Sequence, residues 1–158
     1  MKTTFINTPL GIIELKGDAE GLASALFKDA ENIVISAKIP KELNDAVLQL
    51  QEYFEGNRKE FNLKLSPEGT DFQKRVWQQL QQIPFGKTTS YQQMANTLGD
   101  PKVIRAAASA NGKNPISIII PCHRVIGSDG SLTGYAGGLH RKKWLLEFES
   151  PSAQQSLF

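Results

Sequence analysis

The chain has a single cysteine, Cys122, among its 158 residues. One thiol closes no internal disulfide, and a lone thiol suits a reducing compartment, so the cytoplasm is the expected location. Long apolar runs are also missing. The longest, Ile118–Ile120 with its neighbours, falls far short of the roughly 18 residues that span a bilayer, and no membrane association is expected. The first residues include Lys2 but no continuous apolar segment, because Asn7, Pro9 and Glu14 interrupt it; no export signal is expected. No internal repeat is present. What remains is ordinary for a globular protein: 40% hydrophobic and 22% charged residues. The length allows one good core or two small lobes.

Charge is uneven along the chain. Residues 1–65 carry 8 Lys and Arg against 10 Asp and Glu, a net of −2; residues 66–158 carry 10 against 6, a net of +4; the two sum to the +2 of the whole. Such a split is compatible with scattered surface charge and with a polyanionic partner for the basic half.

Residues 1–65 read as a small β-rich lobe with one helix. "TTFINTPLGIIELKG" is a set of short β-prone stretches broken by Pro9, Gly11 and Gly17, which reads as hairpins. "PKELNDAVLQLQEYFEG" is a helix pattern, with Leu43, Val47, Leu50 and Phe54 on one face and Gly56 at its end. Residues 66–150 read as mainly helical. "TDFQKRVWQQLQQI" opens on a Thr70/Gln73 capping box and places Phe72, Val76, Leu80 and Ile83 on one stripe. "SYQQMANTLG" repeats the box with Ser90 and Gln93 and stops at Gly99; "DPKVIRAAASANG" follows, with Asp100 as cap and Pro101 in the first turn. Two short helices on a tight Gly-Asp-Pro turn form either a plain αα-hairpin or a helix-turn-helix. The second helix favours nucleic acid: Lys102 and Arg105 can face phosphates, and Ala106, Ala107, Ala108 and Ser109 permit close approach to a duplex. "PISIIIPC" then reads as a buried strand ending at the cysteine, and "RVIGSDGSLTGY" as a hairpin turning at Asp129-Gly130. "LHRKKWLLEFE" reads as a last helix, with Leu145 and Phe148 inward and its basic residues outward. Residues 151–158 form a polar tail. The expected class is α/β, more closely α+β.

"IPCHRV" holds the cysteine, and two readings meet there. A lone Cys after an isoleucine run is a small buried hydrophobe in most settings. Against that, Pro121 stiffens the approach to Cys122, a strand end is where a site opens, and His123 and Arg124 are expensive to place in an apolar core. A free thiol with a pKa near 8.5 is only slightly ionised at neutral pH, so a nucleophile needs help. His123 is adjacent on the chain, so one bridging water is easier than a direct bond; Glu149 is a candidate acceptor to fix its tautomer.

"PCHRVI", followed by "TGYAGGLHRKKWLLEFE" and preceded by "GTDFQKRVWQQLQQIPFGKTTSYQQMA", resembles the methylated-DNA–protein-cysteine methyltransferases from about Gly69 to Glu149. The resemblance implies a single-use repair protein that flips an O6-alkylguanine out of duplex DNA and takes its alkyl group irreversibly. It implies Cys122 as acceptor, His123 as base through water, and Glu149 as the group holding His123. Tyr91 would help protonate the departing guanine, and Asn114 would brace the turn before the acceptor. Arg105 would fill the gap left by the base, with Lys102, Ser109 and Arg124 as further DNA contacts, in the minor groove. Tyr135, Ala136, Gly137 and Gly138 would close over the base. The chemistry needs a soft nucleophile and a proton donor; no metal or cofactor is expected, and a monomer is expected. Relatives often carry serine where this chain has Ala136, leaving only a backbone N–H there. Some bind zinc in the first lobe, which one cysteine does not support, and some add a phosphotriester domain, for which the chain has no room. O4-alkylthymine stands beside O6-alkylguanine as a possible substrate.

The rival readings are a non-catalytic helix-turn-helix or lesion-recognition protein, whose silent relatives lack this cysteine, and a cysteine hydrolase, for which adjacent Cys and His make a poor dyad. The tail "QQSLF" also resembles a sliding-clamp-binding peptide of bacterial repair proteins, with Gln154, Leu157 and Phe158 as its contacts; the alternative is that Leu157 and Phe158 fold back on the last helix.

Overall fold

The computed structural model describes residues 1–30 and 32–151. The residues of the clamp-binding expectation, Gln154, Leu157 and Phe158, lie outside them. The described chain forms two compact units. One is Met1–Glu68 together with Pro115–Ser117; the other is Gly69–Asn114 with the described residues from Ile118 onward.

In the first unit β1 (Lys2–Thr8), β2 (Gly11–Asp18) and β3 (Gly21–Lys28) form an antiparallel sheet in the order β1-β2-β3. The period-2 pattern is plain: Thr4 and Ile6 in β1, and Ile13, Leu15 and Gly17 in β2, face inward. A register shift at Lys16/Gly17 needs glycine, since a Cβ on Gly17 would meet the Gly21 carbonyl oxygen at 2.8 Å. A 3-10 turn, Lys41–Leu43, leads into α1 (Asn44–Phe54). Its buried face is Ala46, Val47, Gln49, Leu50 and Tyr53. Tyr53, not the expected Phe54, takes the innermost place, three residues after Leu50, and sets its ring against Phe54 and Phe61.

The second unit begins with α2 (Asp71–Leu80). Thr70 Oγ1 accepts from the Gln73 amide at 3.1 Å and Gln73 Oε1 accepts from the Thr70 amide at 2.9 Å, so the expected capping box is present. β4 (Thr89–Ser90) leads directly into α3 (Tyr91–Thr97), whose first turn is capped by Ser90 Oγ accepting from the Gln93 amide. After Gly99, Asp100 caps a 3-10 turn, Pro101–Val103, which runs on into α4 (Ile104–Gly112). Helices α3 and α4 are the expected helix-turn-helix pair. The indole N–H of Trp77 in α2 donates to the Ala110 carbonyl at 2.9 Å, fixing α4 from behind.

From there the structure departs from the expected strand and hairpin. Ile116 makes only an isolated bridge to Ala25, and the chain then turns at Ile118, whose φ of +71 is rare for a β-branched residue. That conformation costs about 1–3 kcal/mol and persists only where surrounding packing enforces it; Ile118, Ile119 and Ile120 are all buried. Cys122–Arg124 is a 3-10 turn, and β5 (Val125–Ile126) pairs in parallel with β4 instead of folding back on itself. The Asp129-Gly130 turn forms, with Gly127 N–H donating to the Ser131 carbonyl, but no second strand follows. The final helix, α5 (Leu139–Glu149), buries Leu145 as expected and also Arg141 and Lys142, which were expected outside.

Candidate active site at Cys122

Cys122 lies at the start of the 3-10 turn and is 4% exposed. Asn114, at the end of α4, donates through Nδ2 to the Ile120 carbonyl at 2.8 Å and so braces the turn on its approach side. Asn111, one turn earlier on α4, donates through Nδ2 to the Cys122 carbonyl itself at 3.4 Å. Burial pushes the Cys122 thiol up to about 11, against the opposing effects of the Asn114 hydrogen bond and the Lys142 charge.

His123 and Glu149 are brought together as the sequence suggested. Nε2 of His123 stands 2.9 Å from Glu149 Oε2, with both side chains buried. Burial alone would raise the Glu149 carboxyl, but hydrogen bonds and charge from His123 and Arg124 outweigh it and hold the group at about 2. An ionised carboxylate only accepts, so Nε2 carries the proton of a neutral ring. Burial lowers the His123 pKa and keeps the ring neutral. Nδ1 is then a bare lone pair, buried and with no hydrogen-bond partner among the described residues. The ring is a base with its acceptor atom unused.

Arg124 corrects an expectation. It was expected on DNA, but it is 6% exposed and fully engaged: Nε donates to Glu149 Oε1 at 2.8 Å, one terminal nitrogen to Glu149 Oε2 at 3.0 Å, and the other to the Ile83 carbonyl at 2.6 Å. Its guanidinium also lies over the Phe85 ring. A forked guanidinium matches a carboxylate in this way, and with each nitrogen engaged and the side chain buried it is poorly placed for a phosphate.

Tyr91 opens α3, and its hydroxyl donates to the Thr133 carbonyl at 3.1 Å. Burial raises its pKa, opposed by hydrogen bonding with Thr133 and Asn111. Lys142 is the largest surprise. It is wholly buried, donates to the carbonyls of Val125 at 2.6 Å and Thr133 at 2.7 Å, and stands 3.5 Å from the Tyr91 hydroxyl. Burial pulls its pKa down to about 8 while Cys122 acts to raise it. Sequence reading placed this residue on the solvent face. Its spacing, three residues before Leu145 and seven before Glu149, is the one signal that puts it on the inner stripe.

Tyr135, Ala136, Gly137 and Gly138 form a turn, closed by Gly138 N–H donating to the Tyr135 carbonyl at 2.9 Å; Arg141 ties down Gly137 through its carbonyl at 3.0 Å. Ala136 is exposed. Lys102 in the 3-10 turn that leads into α4, and Arg105, Ala106 and Ser109 on α4, are all exposed and recur at helical spacing, making one outward face. Among the described residues no group of three His, Cys, Asp or Glu could hold a metal ion.

Residues 71–151 match the family described as 6-O-methylguanine DNA methyltransferase, DNA binding domain, and residues 1–67 match 6-O-methylguanine DNA methyltransferase, ribonuclease-like domain. A methylated-DNA–protein-cysteine methyltransferase of Methanosarcina barkeri is 50% identical over 148 residues, covering 91% of this chain and 94% of its own. A protein of the same name from Mycobacterium tuberculosis is 52% identical over 118 residues, covering 75% of this chain and 72% of its own. The solved structure of Mycobacterium tuberculosis OGT in complex with DNA superposes with a TM-score of 0.83 at 42% identity, covering 98% of each chain.

Two predictions follow the ionic network. In Glu149→Gln, Arg124 stays buried without a countercharge, a loss of about 3–5 kcal/mol at neutral pH by denaturant unfolding. The acid dependence has a defined sign. His123 resists a proton that the unfolded chain accepts below its ordinary 6.5, and Glu149 holds its charge from the ordinary 4.5 down to about 2. The stability these two groups contribute is therefore fully present above about pH 6.5 and declines stepwise toward pH 2; the lower step is absent in the variant. In Lys142→Met the thiol loses its nearby cation, and alkylation of Cys122 by iodoacetamide at fixed pH slows by about tenfold for each unit its pKa rises. An unchanged rate would detach Lys142 from the thiol.

Proposed function

The chain belongs to the methylated-DNA–protein-cysteine methyltransferase family, and from that premise we propose that Cys122 is its alkyl acceptor, with His123, Glu149, Tyr91 and Asn114 serving it. The protein binds DNA and repairs it by moving the alkyl group of O6-alkylguanine to its own cysteine. The observation that carries the residue assignment is the His123–Glu149 contact, which leaves Nδ1 as the basic atom on the residue next to the thiol.

The step balances on these groups. Cys122 gives its proton toward His123 Nδ1, through one water as the easier geometry, and Sγ attacks the alkyl carbon. The Sγ–C bond forms as the C–O6 bond breaks, and the bonding pair leaves with the guanine. Tyr91 gives the departing base a proton, and the imidazolium rests on Glu149. The product is a thioether, which has no easy hydrolysis route, and no second cysteine exists to resolve it. One turnover per molecule follows. Lys142 beside the thiol opposes the burial that keeps it protonated, and it ties Val125, Thr133 and Tyr91 into one arrangement.

We assign this chemistry and the DNA contact to residues 66–150. The exposed α4 face supports DNA contact through Lys102, Arg105 and Ser109, with Arg105 entering the gap left by the flipped base. Its alanines suit close approach in the minor groove, where sequence readout is poor, and that suits a search for lesions in any sequence. Tyr135, Ala136, Gly137 and Gly138 cover the base, with only backbone help at Ala136. A monomer acting in the cytoplasm fits a lone thiol and single-use chemistry. The tail residues Gln154, Leu157 and Phe158 support docking on a sliding clamp by sequence resemblance alone. A non-catalytic DNA-binding role finds no support, since the acceptor cysteine and its base are both in place.

Incubated with an oligonucleotide carrying O6-methylguanine, Cys122 gains a single methyl group, about 14 Da by mass spectrometry, and no more under excess substrate. Cys122→Ala binds the same DNA and gains nothing. Unmodified native protein after prolonged incubation would overturn the assignment. Arg105→Ala weakens lesion capture in duplex far more than in single strands, because only a duplex leaves a hole to fill. Equal losses on both would remove Arg105 from that role.

A further inference from the structure

The exposed face of α4 runs further than Lys102, Arg105 and Ser109. A helical residue advances about 100°, so Arg105, Ala106, Ser109, Gly112 and Lys113 fall within an arc of about 120°, in line with Lys102 at the other end. All six are exposed, while Ala107, Ala110 and Asn111 on the opposite side are buried. Lys113 is the C-cap residue of α4, and its N–H donates to the Ser109 carbonyl at 3.1 Å, which fixes the backbone there. Gly112 beside it has no neighbour within 4 Å of where a side chain would begin, so the approach is open. Residues 101–114 contain no Asp or Glu. Lys16, Lys28, Arg58 and Lys143 stand against carboxylates. Among the described residues, Lys102, Arg105 and Lys113 have no such partner.

Length and polarity give Lys113 a task. At 1.5 Å per residue, Lys102 and Lys113 stand about 16 Å apart along the helix. A duplex carries a phosphate every 3.4 Å or so on each strand, so this face runs past about five phosphates per strand. Cations at one end alone would leave the helix free to pivot, whereas phosphate contacts at both ends set its register and orientation. Polarity opposes the second contact unless a cation is present. The last carbonyls of a helix carry about half a negative charge, which repels a phosphate, and Lys113 stands at that end and reverses the sign. We propose that Lys113 grips a backbone phosphate of duplex DNA, as the second anchor opposite Lys102. The contact falls one residue before Asn114, which braces the acceptor turn through the Ile120 carbonyl. This rests on the proposed reading of the α4 face as the DNA contact.

The test measures the affinity of full-length protein for a fluorescein-labelled undamaged duplex by anisotropy, over a series of salt concentrations. In Lys113→Gln the slope of log affinity against log salt becomes shallower by about 0.9, and binding near 0.1 M salt weakens by about five- to tenfold, the effect of one lost phosphate contact. Lys113→Arg keeps the native slope, because the charge and its reach are preserved. Lys41→Gln removes one exposed charge from the first unit and changes neither quantity, which separates a local contact from net charge. Denaturant unfolding of each variant reports the fold independently of DNA. A cation that served only the helix end would shift the unfolding midpoint in Lys113→Gln and leave the salt slope native; that result would overturn the proposal. Lys102→Gln distinguishes the two levels of the argument. A flatter slope there with a native slope in Lys113→Gln defeats only the second anchor, whereas native slopes in both remove α4 as the DNA face.

Discussion

One carboxylate organises the site. Glu149, at the end of α5, accepts from His123 through Oε2 and from Arg124 through both oxygens. Taking a carboxylate out of water is expensive, and only strong, well-aligned donors offset it. Those two donors are consecutive residues of the turn that begins with Cys122, so the last helix and the acceptor turn cannot move independently. The fork of Arg124 adds a third tie, to the Ile83 carbonyl just beyond α2. Remove the carboxylate and the imidazole loses its tautomer, the guanidinium its countercharge, and the turn its anchor. The tautomer matters most chemically, because it decides which ring nitrogen is left to take a proton.

The thiol itself is held in a quiet state. With its pKa near 11 it is overwhelmingly protonated at neutral pH, although a base and a buried cation are close by. That combination suits an acceptor spent after one reaction. A standing thiolate would react with any soft electrophile in the cell, and each such event would waste a molecule. The arrangement instead keeps proton removal dependent on a base and a leaving group that act together. The lysine is a compromise of the same kind: its own pKa, pulled down to about 8, leaves it charged near neutrality. Its carbonyl bonds to Val125 and Thr133 supply the polar partners that a buried ammonium needs.

Local signals in the chain were good guides wherever local physics decides the outcome. The Thr70 capping box, the Ser90 cap, the Asp100–Pro101 start and the alternating first strands all formed. The pairing of His123 with Glu149 was also legible, since an imidazole beside a cysteine needs an orienting acceptor. Periodicity failed where burial is decided by partners. It treats Arg124, Arg141 and Lys142 as surface residues because they are charged, yet each finds carboxylate or carbonyl acceptors inside. Ile118–Ile120 misled for a different reason. An isoleucine run has strand propensity, but the native path turns at Ile118 with a positive φ, and only tertiary packing enforces that. Asn111 was hidden in "SANGKNP", where it reads as part of a helix end.

Helix α4 joins the two halves of the proposed function. Lys102 in the turn before it and its own Arg105 and Ser109 are exposed, while Asn111 at its inner end and Asn114 just beyond it face the carbonyls of Cys122 and Ile120. The Trp77 indole holds the same helix at Ala110, just before those two asparagines. A rigid helix of this kind carries position faithfully. Whatever fixes its outer face also fixes, through amide contacts of 3.4 and 2.8 Å to the carbonyls of Cys122 and Ile120, where the proposed acceptor sulfur stands. The alternative, an acceptor on a free loop, would have to be ordered after DNA binds, at an entropic cost for each residue fixed. Here that ordering is complete before the lesion arrives. The burial of polar groups around the thiol, costly for stability alone, is what a preformed site requires.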